Sequence, residues 1–264
     1  MQLRLEPDRR AMSAAAAQHA AASLRRIINS AGKARTVFAT GASQLEFLDE
    51  LTSLKEIDWA RVELFHLDEY VGIPESHPAS FRRYLRENLI DKTGLRNYHF
   101  LDGTVRVDDV IRDVGRELTS APIDLMFAGI GENGHLAFND PPADFDTTDP
   151  YILVHLDEAC RQQQVGEGWF ARIEDVPTRA ISMSVRQMMK AKELLLIVPD
   201  ARKALAVKAT LEGEVTPLVP ASIIHTHPNV TLYLDEPAAS KLSKETIESF
   251  AAPGSVVRDP GSRR

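Results

Sequence analysis

The sequence predicts an α/β domain with a mainly parallel sheet, on three observations: short apolar, β-branched runs recur along the chain, helix-period segments separate most of them, and the central run empties into a glycine-rich loop. The runs lie at 36–39, 62–67, 123–130, 194–198 and 230–234. In the central one, Ile123, Leu125, Met126, Phe127 and Ala128 suit a buried parallel strand. Beyond them stand Gly129, Gly131 and Gly134, then His135 and Asp140. Open α/β sheets bind ligands beyond the carboxyl ends of their strands, which makes these side chains candidate ligand contacts. A glycine-rich turn with a solvated histidine is the plainer alternative.

The first helix is expected over 12–29, where Ala, the best helix former, is joined by an apolar stripe of Leu24, Ile27 and Ile28. An organelle transit peptide would also be rich in Ala and carry Arg25 and Arg26, but Glu6 and Asp8 oppose that reading. Further helices are expected over 44–54, 78–89, 107–118, 182–190 and 201–212. Most intervals between strands fit one crossover helix. The interval 141–178 is longer and rich in acids, Gln and Gly, as a mobile flap or an inserted hairpin would be. No internal repeat is present; residues 1–252 read as one domain, and 253–264 as a disordered tail of Pro, Gly, Ser and Arg.

A chain of 264 residues with 44% apolar and 26% charged residues can bury a sizeable core. Its formal charge of −7, without a long Lys or Arg run, disfavours nucleic acid and anionic membranes as partners. A phosphorylated metabolite needs only a few local cations and stays open. Cys160 is the sole cysteine, which excludes an intrachain disulfide or a thiolate metal cluster and fits a reducing compartment. No apolar stretch approaches the roughly 18 to 20 residues of a membrane span, and no secretory signal pattern follows Met1. A cytoplasmic protein is expected.

Four segments follow strands or open the helices after them. Thr40, Gly41, Ala42 and Ser43 enter a helix and offer an anion unpaired N–H groups, a positive helix end and two hydroxyls. No Gly-Lys-Thr or Gly-Lys-Ser closes this loop, so it is not a Walker loop, and Ser43 as a plain helix cap is the competing reading. In FHLDEYVG, which contains His66 and Tyr70, alternation sends Asp68 and Glu69 to opposite sides, so one carboxylate is expected to face a shared pocket. Tuned upward in pKa, it could remove a proton from carbon or oxygen; an acidic surface turn is the alternative. His135 with Asp140 is the third segment. Arg202 and Lys203 are the fourth, early in a helix where a cation opposes the dipole and wants an anion unless solvent screens it.

His225 with His227, and His66 with Asp68, are spaced two apart and could pair metal ligands on an extended segment. Neither has the i, i+4 spacing of a helical zinc motif, so a metal-free carboxylate and histidine site is favoured. His19, His77, His99 and His155 have no evident partner and are expected at the surface or as satisfied structural groups.

Taken together, ATGAS at 39–43, LDEYVGIPESHPASF at 67–81, GIGENGHLAFNDP at 129–141 and KALAVKATLEG at 203–213 resemble the glucosamine-6-phosphate deaminases, of a wider family that includes 6-phosphogluconolactonases. The match in order and spacing covers about residues 35–236. DEYVG and GENGHLAFN look like the deaminase branch, whereas the lactonase branch typically carries a serine-leucine-phenylalanine-proline stretch where AFNDP stands here.

The resemblance implies a Rossmann-like sheet flanked by helices on both faces and an aldose-to-ketose isomerisation coupled to loss of ammonia, with no metal or organic cofactor. It makes Asp68 the base that moves a proton between C2 and C1, and His135 the group that opens the sugar ring. Asn133 stands where relatives often have Asp, and Asp140 where they have Glu, in the group that orients the histidine. Thr40, Gly41, Ser43 and Lys203 match phosphate-holding positions, with Ala42 in the same loop. Glu69 and Gly134 are expected at the substrate, and Arg161 is the nearest candidate for a phosphate-contacting arginine. The expected partner is a phosphorylated amino sugar, and a homo-oligomer is compatible with the sequence. Two alternatives are a sugar-phosphate lactonase, with His135 activating water, and a catalytically silent sugar-phosphate sensor.

Overall fold

Seven strands pair in parallel in the order β1 (Gln2–Glu6), β10 (Val230–Asp235), β9 (Glu193–Val198), β6 (Leu125–Ala128), β2 (Ala34–Phe38), β3 (Val62–His66) and β5 (Asn97–His99). This computed structural model describes residues 1–250, so the tail expected at 253–264 lies outside the described residues. Each of the five apolar runs forms one of the strands. The two edge strands escape the sequence reading because β1 is interrupted by Arg4 and Glu6, and β5 has only three residues.

Strand alternation divides the apolar side chains between two cores. Leu194, Leu196 and Val198 of β9 join Val37, Phe65, Met126 and Leu232 on one face. Leu195 and Ile197 join Phe38, Leu64, Phe127 and Tyr233 on the other. The first core is covered by the helices Val107–Thr119 and Ala204–Glu212, the second by Arg9–Ala31 and Leu45–Ser53. Helix Arg9–Ala31 starts where the Asp8 side chain accepts from Ala11 N at 2.8 Å, and buries Met12, Ala16, Ala20, Leu24 and Ile28 at i, i+4 spacing. Among the described residues no helix is long and apolar enough to cross a membrane.

A second, antiparallel sheet has the order β4 (Asp68–Tyr70), β8 (Arg179–Met183) and β7 (Tyr151–His155). Strands β7 and β8 are the arms of an inserted hairpin in the interval 141–178 and beyond it, joined through the helix Glu158–Gly166. The helix expected over 182–190 is shorter, Val185–Met188, because Ser182 and Met183 are drawn into β8 and Ser184 caps the turn that follows. The helix expected over 78–89 begins at Phe81 and continues beyond Leu85 through the wider turn Arg86–Ile90. Loops after β2, β3, β6 and β9 emerge at the same edge of the main sheet.

Candidate active site

Those four loops line one cleft. Thr40, Gly41, Ala42 and Ser43 come from β2, Asp68 from β3, Gly131 and His135 from β6, and Lys203 from β9. Phe81 and Phe138 add apolar wall.

Asp68 opens β4 one residue after the chain leaves the main sheet at Leu67. It is 5% exposed, and among the described residues no hydrogen bond or ion pair reaches its carboxylate. Burial, then the charge of Glu69, pushes this carboxyl up to about 8. An acid so tuned is a stronger base once ionised and still ionises near neutrality.

Glu69 faces away from the cleft, as the alternation requires. It is fully buried and accepts from the Ser80 hydroxyl at 2.9 Å, from Tyr70, Phe81 and Arg82 N–H groups at 2.9, 3.2 and 2.9 Å, and from Arg82 Nε at 3.2 Å. Burial raises its pKa against these bonds. Its carboxylate anchors the first turn of helix Phe81–Leu85, and that saturation keeps it from the substrate contact expected of it.

The loop after β6 is folded around its histidine. A Cβ at Gly131 would collide with the His135 imidazole, so only glycine lets the ring lie against this backbone. His135 N donates to Asn133 Oδ1 at 3.0 Å, and Asn133 Nδ2 donates to Asp140 Oδ1 at 3.1 Å. Ala137, with φ of 51°, bends the chain and returns Asp140 to the ring. Asp140 Oδ1 lies 3.2 Å from His135 Nδ1. The shorter acid therefore reaches the histidine at ion-pair distance. Burial works to raise the Asp140 pKa, but His135, Asn133 and the Asp157 N–H outweigh it and leave the carboxyl below its ordinary range. Gly134 lies outside the lining, with its carbonyl accepting from Ala221 N at 2.9 Å, so the loop turns it away from the cleft.

In the 40–43 loop, Gly41 has φ of 101°, a conformation glycine takes at no steric cost. Ser43 caps no helix; its hydroxyl lines the cleft and accepts from Gln44 Nε2 at 3.0 Å. Lys203 ends a short turn before helix Ala204–Glu212, is 5% exposed, and loses basicity through burial. Arg161 does not join these groups. Its guanidinium donates to the carbonyls of Ile173 and Val176 at 2.6 and 3.3 Å and holds the turn before β8.

Three lining residues escaped the sequence reading: Gln163, Gln164 and Glu167, at the end of the inserted helix. The signal was present in the i, i+4 pair Gln163 and Glu167, joined here at 2.8 Å.

The paired histidines do not form ligand sets. His225 Nε2 lies 2.9 Å from Thr210 O and His227 Nε2 lies 2.7 Å from Ala191 O. His66 is fully buried, with its pKa driven down to about 3 by burial and then by Arg82. His19 meets Tyr233 and His99 meets Glu63, as satisfied structural groups. By distance alone His135, Asp140 and Cys160 could hold a metal, their ligand atoms lying within 4.8 Å of one another. Burial, with Asp140 and Asp157 nearby, pushes the Cys160 thiol far up, which suits a protonated neighbour of Asp140 better than a ready thiolate ligand.

Residues 7–233 match the family described as glucosamine-6-phosphate isomerases/6-phosphogluconolactonase. A glucosamine-6-phosphate deaminase of Streptococcus pneumoniae (strain Hungary19A-6) is 38% identical over 209 residues, 78% of this chain and 86% of that protein. One from Bacillus cereus (strain G9842) is 37% identical over 207 residues, 78% of this chain and 77% of that protein. Among solved structures, a monomeric glucosamine-6-phosphate deaminase superposes with a TM-score of 0.85 at 26% identity, over 92% of this chain and 100% of that one. The 6-phosphogluconolactonase of Trypanosoma brucei shares the fold, with a TM-score of 0.76 at 16% identity, over 92% of this chain and 98% of that one.

Proposed function

The chain belongs to the glucosamine-6-phosphate isomerase/6-phosphogluconolactonase family, and from that membership we propose that it converts glucosamine 6-phosphate, or a related amino-sugar phosphate, to fructose 6-phosphate and ammonia. The observation that carries the reading is that Asp68 and His135 open onto one cleft, which the 40–43 loop and Lys203 also line. The relatives named as deaminases support it.

In this reading Thr40, Gly41, Ser43 and Lys203 take the phosphate, and its binding energy places C1 and C2 against Asp68. Ring opening moves the proton of the C1 hydroxyl to the ring oxygen and leaves C1 as an aldehyde. His135 relays that proton, with Asp140 and Asn133 fixing the ring and its loop. Asp68 then removes the C2 proton and returns it to C1 while the amino nitrogen passes a proton to the C1 oxygen, so C1 ends as a hydroxymethyl and the double bond lies between C2 and nitrogen. Water adds at C2 and ammonia leaves, completing the balance of amino sugar plus water to ketose plus ammonia.

The test assays ammonia from glucosamine 6-phosphate beside hydrolysis of 6-phosphogluconolactone on the same preparation. Ammonia release with the higher kcat/KM is expected. Lactone hydrolysis without ammonia would transfer the chain to the lactonase branch, and binding without turnover would make it a silent sensor.

A further inference from the structure

The anion end of the cleft already holds an acid. Glu167 places a carboxylate oxygen 3.9 Å from Lys203 Nζ, with the two side chains only 8% and 6% exposed. Gln163 Nε2 donates to its Oε1 at 2.8 Å, and the Trp169 indole N–H donates to its Oε2 at 3.2 Å. Gln163, Glu167 and Lys203 all line the cleft, so the acid is held in place at the spot where Lys203 would meet a ligand. The outer cation gives no relief, since Arg202 is paired with Asp200 at 3.0 Å and faces Glu132 at 3.7 Å.

We propose that Glu167 is a specificity-determining residue: a resident counter-ion of Lys203 that the anionic tail of a substrate must displace. The inference rests on the reading that Lys203 receives a substrate phosphate. A phosphate and a carboxylate crowding one buried ammonium repel each other, so the bound state requires Glu167 to leave Lys203 or to take up a proton. The affinity for phosphate is then reduced by the fraction of molecules in which Lys203 is free. An uncharged tail meets no such competition, because a hydroxyl can donate to Glu167 and accept from Lys203 together. Glu167 thereby narrows the margin by which the cleft prefers a phosphorylated amino sugar over its unphosphorylated counterpart.

Calorimetric titration with inorganic phosphate, which needs no turnover, provides the test. Glu167→Gln keeps the shape of the side chain and removes its charge. Phosphate should bind this variant about fivefold tighter or better, the low end of ordinary coupling between sites. KM for glucosamine 6-phosphate should fall in parallel while kcat moves less, and Glu167→Ala should act in the same direction. Combining Glu167→Gln with Lys203→Met should erase the gain. If Lys203→Met weakens phosphate binding but Glu167→Gln leaves it unchanged or weaker, the inference is wrong and the phosphate assignment survives. If Lys203→Met changes nothing, the phosphate assignment fails and this inference with it.

Discussion

The two ends of the cleft obtain their charges differently. At the proposed catalytic end, Asp68 stands just past β3, where the chain enters β4 of the small sheet, and His135 sits in the tight loop after β6. At the anion end, the 40–43 loop and Lys203 also come from the main sheet, but the charge facing Lys203 is supplied by the insert through Glu167. The helix Glu158–Gly166 touches both: Asp157 N, at its N-cap, donates to Asp140 Oδ2 at 3.3 Å, and Glu167 follows its last turn. Its dipole matches this arrangement, with the positive end at an acid and the negative end near an ammonium. The main sheet carries most of the groups that line the cleft, and the insert adds charge and hydrogen bonds at both ends of it.

The strongest way to break this division is Asp68→Asn. It should lower kcat by about three orders of magnitude, within the range of a lost general base, and leave KM near the parent value. Turnover within tenfold of the parent, measured by ammonia release, would show that the base lies elsewhere. Asp140→Asn should cost about a hundredfold in kcat, since it keeps the shape but removes the charge facing the imidazole. The same variant has a stability signature. A carboxyl held below its ordinary pKa contributes stability above that range and loses it as the pH falls through the lowered value. The parent should therefore melt above Asp140→Asn near neutrality, with the gap closing in acid. A gap that widens in acid would contradict the contact with His135 as a source of the lowered pKa.

The same division explains what could be read from the sequence. Buried parallel strands are continuous apolar runs, so β2, β3, β6, β9 and β10 were legible, and so were the loops at their ends with Asp68, His135 and Lys203. Alternation alone separated Asp68 from Glu69. Nothing local announced that Glu69 would be saturated by the helix twelve or so residues on, because those partners are backbone N–H groups that every sequence offers. Arg161 was misplaced for a similar reason: its acceptors are the carbonyls of Ile173 and Val176. The reach of Asp140 depended on the bend at Ala137, which no residue preference signals. The small sheet and its helix were hardest, because β4 has three residues and pairs with a strand, β8, that lies far along the chain.

Glu69→Gln probes the division at its finest, and its effect on rate should be the smallest. The substitution leaves fewer acceptors for the N–H groups of Phe81 and Arg82, and should destabilise the protein by about 1–3 kcal/mol in chemical denaturation. Arg82 keeps Asp102 at 2.6 Å, so it is not stranded. For catalysis the consequence passes through Asp68. Burial is the first cause of its raised pKa and the charge of Glu69 the second, so removing that charge lowers the pKa only part of the way. Because the base must be ionised, the parent's rate should climb with pH until about 8, and the variant's climb should come earlier. At about pH 6 the variant should outpace the parent severalfold, and above the parent's limb the two rates should converge. A limb that stays in place would mean that burial alone tunes Asp68, whereas a limb displaced upward would mean that the Glu69 carboxylate acts on the base through geometry rather than charge.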